Sequence, residues 1–178
     1  MKIILGLAGE MASGKGTVAK YAAEKYNAKT WRFSTMLRDV SDRLSLEQSR
    51  DNMQTLSTIL RQNFGEELFA RVMAEDVKKD TGEVIIIDGV RRLADIKYLK
   101  KIPQFKLAYL EAEMPKRHER IVKRAENSDD AKKTFEDFKK AHEDESELQI
   151  KDLKNHADFL IDNNGSYEDL YAQVDKIL

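Results

Sequence analysis

Residues 3–17, reading Ile-Ile-Leu-Gly-Leu-Ala-Gly-Glu-Met-Ala-Ser-Gly-Lys-Gly-Thr, constrain the fold more than any other stretch of this chain. Ile3, Ile4 and Leu5 open a short apolar strand, and Gly9 to Thr17 reads as a glycine-punctuated loop entering a helix. Gly9, Gly14 and Lys15 fit the G-x-x-x-x-G-K spacing of a phosphate-binding loop. The glycines let successive backbone N–H groups turn inward, and the helix behind them adds the positive end of its dipole. Lys15 would reach the β- and γ-phosphates of a nucleotide, with Gly9, Ala12, Ser13, Gly14, Gly16 and Thr17 forming the cradle.

The loop departs from its commonest form at one position. Gly16 stands where Ser or Thr usually follows the lysine, and Thr17 comes next. The resulting Gly-Lys-Gly-Thr resembles the loop of adenylate kinases, a branch of the nucleoside monophosphate kinases. That resemblance implies ATP as the nucleotide, with Thr17 on a phosphate or meeting Mg²⁺ through water.

At 178 residues the chain is expected to form one domain, residues 1–178, with a well-buried core. A net charge of -1 gives no broad attraction to nucleic acid or membrane, although a local basic patch can still hold phosphates. The absence of cysteine removes disulfides, thiol catalysis and cysteine-held zinc. The chain enters a strand without a targeting pattern, and no apolar run approaches ~18 residues. A cytoplasmic location is the expectation.

Periodicity places the first helix over Lys15–Tyr26 and a second strand over Lys29–Phe33. A helix capped by Ser34 follows, with Met36, Leu37, Val40 and Leu44 on one face. Asp51 to Lys79 reads as helix that Gly65 can split, and Val84–Ile87 as a central strand ending in Asp88-Gly89. A helix over Leu93–Lys101, a strand over Lys106–Leu110, and helices over Pro115–Glu126 and Asp129–Leu148 come next. Phe159–Asp162 and Tyr167–Leu178 supply the last strand and helix. Strand and helix alternate throughout, so the expected fold is a three-layer α/β/α sandwich around a parallel sheet of about five strands. Residues 34–80 form a helical acceptor region, and residues 115–148 a short helical lid.

Three stretches carry the remaining chemistry. Ser34, Thr35 and Arg38 follow the second strand; read alone they are a helix cap and a solvated arginine, or a phosphate grip. The stretch resembles the acceptor-binding segment of adenylate kinases, shortened by two residues, which implies Ser34 and Arg38 on the acceptor. Asp88-Gly89-Val90-Arg91 ends the apolar strand, where ligands bind in such sheets; Asp88 could hold Mg²⁺ or cap the next helix. It resembles both adenylate kinases and the Asp-Gly-x-Arg of dephospho-CoA-kinase-like proteins, which implies Arg91 on the acceptor phosphate. Arg117, Arg120 and Arg124 share a helix face, either as a solvated charged surface or as an arginine clamp. The segment 119–124 resembles the start of the adenylate kinase lid, implying Arg120 on the adenine or its phosphates and Arg124 on the transferring group. Lysines 132, 133, 139 and 140 stand where further lid arginines are the rule, so this lid is a reduced one.

Asp162-Asn163-Asn164-Gly165-Ser166 is a turn and helix cap as plain chemistry, and also resembles the loop of dephospho-CoA kinases that passes the adenine ring, which implies Asn164 and Gly165 on the nucleotide. Arg61, on the amphipathic helix near the acceptor side, is a further acceptor candidate. His118, His142 and His156 form no ligand spacing. Together these imply an ATP- and Mg²⁺-dependent kinase of the nucleoside monophosphate kinase superfamily acting on a small, nucleotide-like acceptor. The alternatives are phosphorylation of a hydroxyl, as in dephospho-CoA kinases, or an ATP-driven switch that reports to a protein partner.

Overall fold

The computed structural model describes residues 2–124, 134–140 and 145–178, without the side chains of Arg50, Arg124 and residues 145–148. Its five strands are β1 (Ile3–Ala8), β2 (Lys29–Arg32), β3 (Val84–Asp88), β4 (Phe105–Glu111) and β5 (Phe159–Asp162). They form one parallel sheet in the order β2-β3-β1-β4-β5. The helices are α1 (Lys15–Tyr26), α2 (Phe33–Arg43), α3 (Arg50–Phe64), α4 (Leu68–Lys79), α5 (Leu93–Ile96), α6 (Met114–Arg124), α7 (Phe135–Lys140), α8 (Glu145–Asp152) and α9 (Tyr167–Asp175).

The central strands β1, β3 and β4 are largely apolar on both faces because both faces are covered. Ile4, Ala8, Ile85, Ile87, Phe105, Leu107 and Tyr109 meet Phe69, Met73 and Val77 of α4 and Ile150 of α8. On the other face Leu5, Leu7, Ile86, Ala108, Leu110 and Ile161 meet Val18 and Ala22 of α1 and Leu170 and Val174 of α9. This is the expected α/β/α sandwich. With β1 central, the loop after it opens at the middle of the carboxyl edge of the sheet.

Three local expectations are corrected. Ser34 does not cap α2: the helix opens at Phe33, with Arg32 in the cap position and no side-chain cap. Phe33 is buried in the α4-side core, and seating its ring draws it into the first turn. The expected helix over 93–101 is α5 followed by a 3-10 turn, Leu99–Lys101. Ile96, Leu99 and Ile102 are all buried, and that spacing of three suits the tighter turn. The expected helix over 129–148 is represented by α7 and α8, residues 129–133 and 141–144 lying outside the described residues. α8 runs past Leu148 into a 3-10 turn at Leu153–His156, which buries Ile150 and Leu153 three residues apart. Gly65, with φ +95, does separate α3 from α4.

Candidate functional site

β1 ends at Ala8, and the chain turns over Gly9–Gly14 into α1. Gly9 has φ +144, and a Cβ there would lie 2.6 Å from both Leu110 O and Ser13 Oγ. Gly14 has φ +108, and its Cβ would meet Asn163 Nδ2 at 2.1 Å. Neither position tolerates a side chain. Gly16 differs: a Cβ there meets nothing within 4 Å, so protein packing does not demand that glycine. Ala12 is also left-handed, at φ 59. Lys15 folds back over the loop, Nζ donating to Gly9 O at 2.5 Å and Glu10 O at 3.1 Å. Its ammonium is thus held beside the cradle by backbone oxygens.

The turn between β5 and α9 closes one side. Asn163, 5% exposed, donates through Nδ2 to Ser13 O at 2.8 Å. Asn164 Oδ1 accepts from Glu113 N at 2.8 Å, and Asn164 O accepts from Lys116 Nζ at 2.8 Å. Gly165 lies against the Asp169 carboxylate, which receives the N–H and hydroxyl of Ser166 and is held below the usual carboxylate range by those bonds. α6 packs over this turn. Arg120 Nη2 donates to Asn163 O at 2.7 Å, while Arg120 Nη1 is buried with no hydrogen-bond partner among the described residues. Ser13 Oγ is in the same condition.

Arg117, placed by its spacing on the same face as Arg120, is instead buried at 2% exposure. Its Nε donates to Ala112 O at 2.9 Å, Nη1 to Met11 O at 3.2 Å, and Nη2 pairs with Glu10 Oε2 at 3.2 Å. Its guanidinium lies 5.7 Å from the Phe138 ring centroid.

On the β3 side, Asp88 sits in register with Arg32, whose Nε lies 3.6 Å from Asp88 Oδ2. Arg91 is exposed just beyond Gly89, and Arg38 is exposed with Nη1 on Gln48 Oε1 at 2.8 Å. Thr30, Arg32 and Thr35 join Gly16 and Lys20 along a groove of about 370 Å³ beside α1. Ser34, one residue from that wall, is half-buried. Arg61 is not an exposed acceptor ligand. It is 8% exposed, with Nη2 on Asp95 Oδ1 at 2.9 Å, Nη1 on Glu66 O at 2.5 Å and its guanidinium over Phe69. Asp95 Oδ2 in turn accepts the N–H groups of Arg91 and Arg92. Arg61 therefore pins the segment that carries Arg91.

An AAA domain family profile matches residues 8–139. Over its whole length the chain is 31% identical to a UPF0200 protein of Staphylothermus marinus, 93% of which is covered. It is 28% identical over 99% of its length to a UPF0200 protein of Methanocaldococcus jannaschii, 89% of which is covered. This chain belongs to the UPF0200 family and carries an AAA domain. Its fold is shared with TT1252 of Thermus thermophilus, at TM-score 0.66 and 14% identity, covering 99% of this chain and 96% of that one. It is also shared with shikimate kinase of Bacteroides thetaiotaomicron, at TM-score 0.55 and 15% identity over 98% and 96%.

Lys15, Thr17, Arg120, Asn164 and Gly165 thus gather around one loop, with Asp88 on the strand beside β1. The side chain of Arg124, and Lys132 and Lys133, lie outside the described residues. Glu10, Arg32 and Asp95 were not read from sequence as site residues, Arg117 was read only as sharing a helix face with Arg120 and Arg124, and Asn163 only as part of the turn after β5. Asn163 adjoins the Asn164-Gly165 turn and Arg117 stands one turn before Arg120, so their neighbours pointed to them.

Proposed function

We propose that the chain is an ATP-dependent phosphotransferase moving the γ-phosphoryl group of MgATP to a nucleoside monophosphate. The observation that supports this best is Arg120 Nη1, a buried guanidinium nitrogen with no partner among the described residues, on an arginine fastened to the turn that packs on the phosphate loop. A buried cationic donor is costly unless something completes its bonding, and a phosphate oxygen suits it.

In this reading Lys15 exchanges Gly9 O and Glu10 O for the β- and γ-phosphates. Arg120 takes an oxygen of the donor, Arg38 and Arg91 take the acceptor phosphate, and Arg124 takes the transferring group. An acceptor phosphate oxygen attacks the γ-phosphorus as the bond to the β,γ-bridging oxygen breaks, and ADP leaves with that bond's electrons. An ionised phosphate needs no base, so the residues position groups and neutralise charge. Asp88 and Thr17 offer the hard oxygen donors that suit Mg²⁺, and Asp88, met only loosely by Arg32, is free to exchange that contact. When bound there, Mg²⁺ supplies charge neutralisation at the phosphates. Among the described residues no three His, Asp or Glu side chains form a cage, consistent with an ion that arrives with the nucleotide.

The position of Asp88 at the carboxyl edge of the sheet also favours a second reading, a hydroxyl acceptor with Asp88 as its base. A coupled ADP-release assay with MgATP tests both. Strong stimulation by one ribo- or deoxyribonucleoside monophosphate supports the first reading, and stimulation by dephospho-coenzyme A alone supports the second. A flat panel despite tight ATP binding overturns both in favour of a switch.

A further inference from the structure

Glu10 brings a carboxylate into the phosphate loop itself, one residue after Gly9 and five before Lys15. A negative charge so near a triphosphate cradle works against the ligand the loop is shaped for. Two cations answer it from the lid helices. Arg117 Nη2 of α6 lies 3.2 Å from Oε2, and Lys151 Nζ of α8 lies 3.9 Å from Oε1. Lys151 is exposed, so its pairing is weak; Arg117 is buried over Phe138 of α7, and two of its other nitrogens hold Met11 O and Ala112 O. Lys15 Nζ rests on the backbone oxygen of the same Glu10. The lysine, the loop and α6 therefore meet at one residue, and Arg120 stands one helical turn beyond the arginine that holds it.

We propose that Arg117 is a positioning residue for the donor nucleotide: it neutralises Glu10 and fixes the phosphate loop at a set distance from Arg120. This rests on the reading of the loop as an ATP site. With Arg117 in place, the charge sum at the loop favours an incoming polyphosphate, and the lid helix and loop present their cations as one unit. Without it, the Glu10 carboxylate stands half-buried beside the phosphates with the weak, exposed Lys151 contact in place of a buried guanidinium.

Isothermal titration of the full chain with MgATP tests the proposal. Arg117→Met keeps most of the side-chain volume and removes the charge; it is expected to weaken MgATP by about tenfold or more. Adding Glu10→Gln to Arg117→Met is expected to recover most of that loss, since the carboxylate left unanswered is gone. A residue that merely holds α6 in place would show no such recovery, so a double variant no better than the single overturns the proposal. Glu10→Gln alone keeps the Arg117 bonds to Met11 and Ala112 and should bind MgATP about two- to threefold more tightly. Unchanged or weaker binding by that variant overturns the proposal even where Arg117→Met fails to fold. Wild-type chain that does not bind MgATP overturns the nucleotide reading itself, whereas wild-type binding with an unaffected Arg117→Met overturns this inference alone.

Discussion

The two ends of α1 lie in opposite surroundings. At its amino end the backbone is left-handed at Ala12 and Gly14, Ser13 Oγ is buried without a partner among the described residues, and Lys15 is folded onto loop carbonyls. At its carboxyl end, Tyr21, Lys25 and Tyr26 all converge on Asp175 of α9, with donor–acceptor distances of 2.7–2.8 Å. Tyr21 also stacks on Tyr171, ring centroids 3.9 Å apart. Lys25 first, then Tyr26 and Tyr21, pull the Asp175 carboxyl down to about 2. A second knot lies at the β2 edge of the sheet. Asp80 accepts from Trp31 Nε1 and Gly82 N and pairs with Lys29, while Lys2 caps Val77 O and Asp80 O. Burial pushes Asp80 up, and the bonds from Gly82, Trp31 and Lys29 outweigh it, so the net shift is downward. At these two knots the polar groups are answered, whereas the loop keeps strained and unanswered ones where a ligand can use them.

The sharpest way to break this division is Lys15→Ala. Turnover should fall by about a hundredfold or more, while the thermal midpoint stays near wild type. A variant that melts early would show that the lysine supports the fold through Gly9 and Glu10. Gly14→Ala should harm both ends of the comparison at once. Its Cβ runs into Asn163 and its φ is left-handed, so denaturant titration should show a loss of about 1–3 kcal/mol together with weaker ATP binding. Asp80→Ala should do the reverse of Lys15→Ala. It strands the Trp31 and Gly82 donors, costs about 1–3 kcal/mol, and leaves steady-state constants where they were.

The smallest effect concerns Asp175. Its carboxyl titrates at about 2 in the folded chain, below the ordinary ~3.9 of an unfolded aspartate. The folded value is depressed, so its contribution is complete above about pH 4 and is lost as pH falls through 2. Asp175→Asn should lower stability slightly above about pH 4, where the contribution is present, and leave it unchanged below pH 2, so that the acid limb of a stability–pH curve measured by urea unfolding is flatter; the effect is small because the site is solvated. An unaltered acid limb would place that loss on other carboxylates, such as Asp169.

The parts of this molecule that were legible in the sequence are those whose cause is local. The loop spacing, the apolar runs of β1 and β3, and the turn at Gly65 depend on near neighbours, and they reappear in the structure within a residue or two. Arg117 and Arg61 were not legible. An arginine on a polar helix reads as solvated, and only the arrival of Phe138 and Glu10, or of Phe69 and Asp95, makes it a buried ion. Phe33 misplaced the start of α2 for the same reason, since the core it enters is made by α4, more than thirty residues away. Asn163 shows an intermediate case: the turn was visible, but not which of its two asparagines faces the loop.

The place of β1 in the sheet also governs how the chain is assembled in time. Ile3 pairs with Val84 and Ile4 with Phe105, so the strand that carries the loop finds no neighbour until those residues have been made. At ~5–20 residues per second, a ribosome takes roughly 4–16 seconds to reach Val84 after Ile3. Through that interval α1 to α4 can form from local contacts, while an apolar six-residue segment waits with both edges bare. The stretch of sequence that does most to declare the fold is therefore made first yet placed only after residues 84–109 have followed it, and through that interval it is the segment a chaperone has most reason to cover.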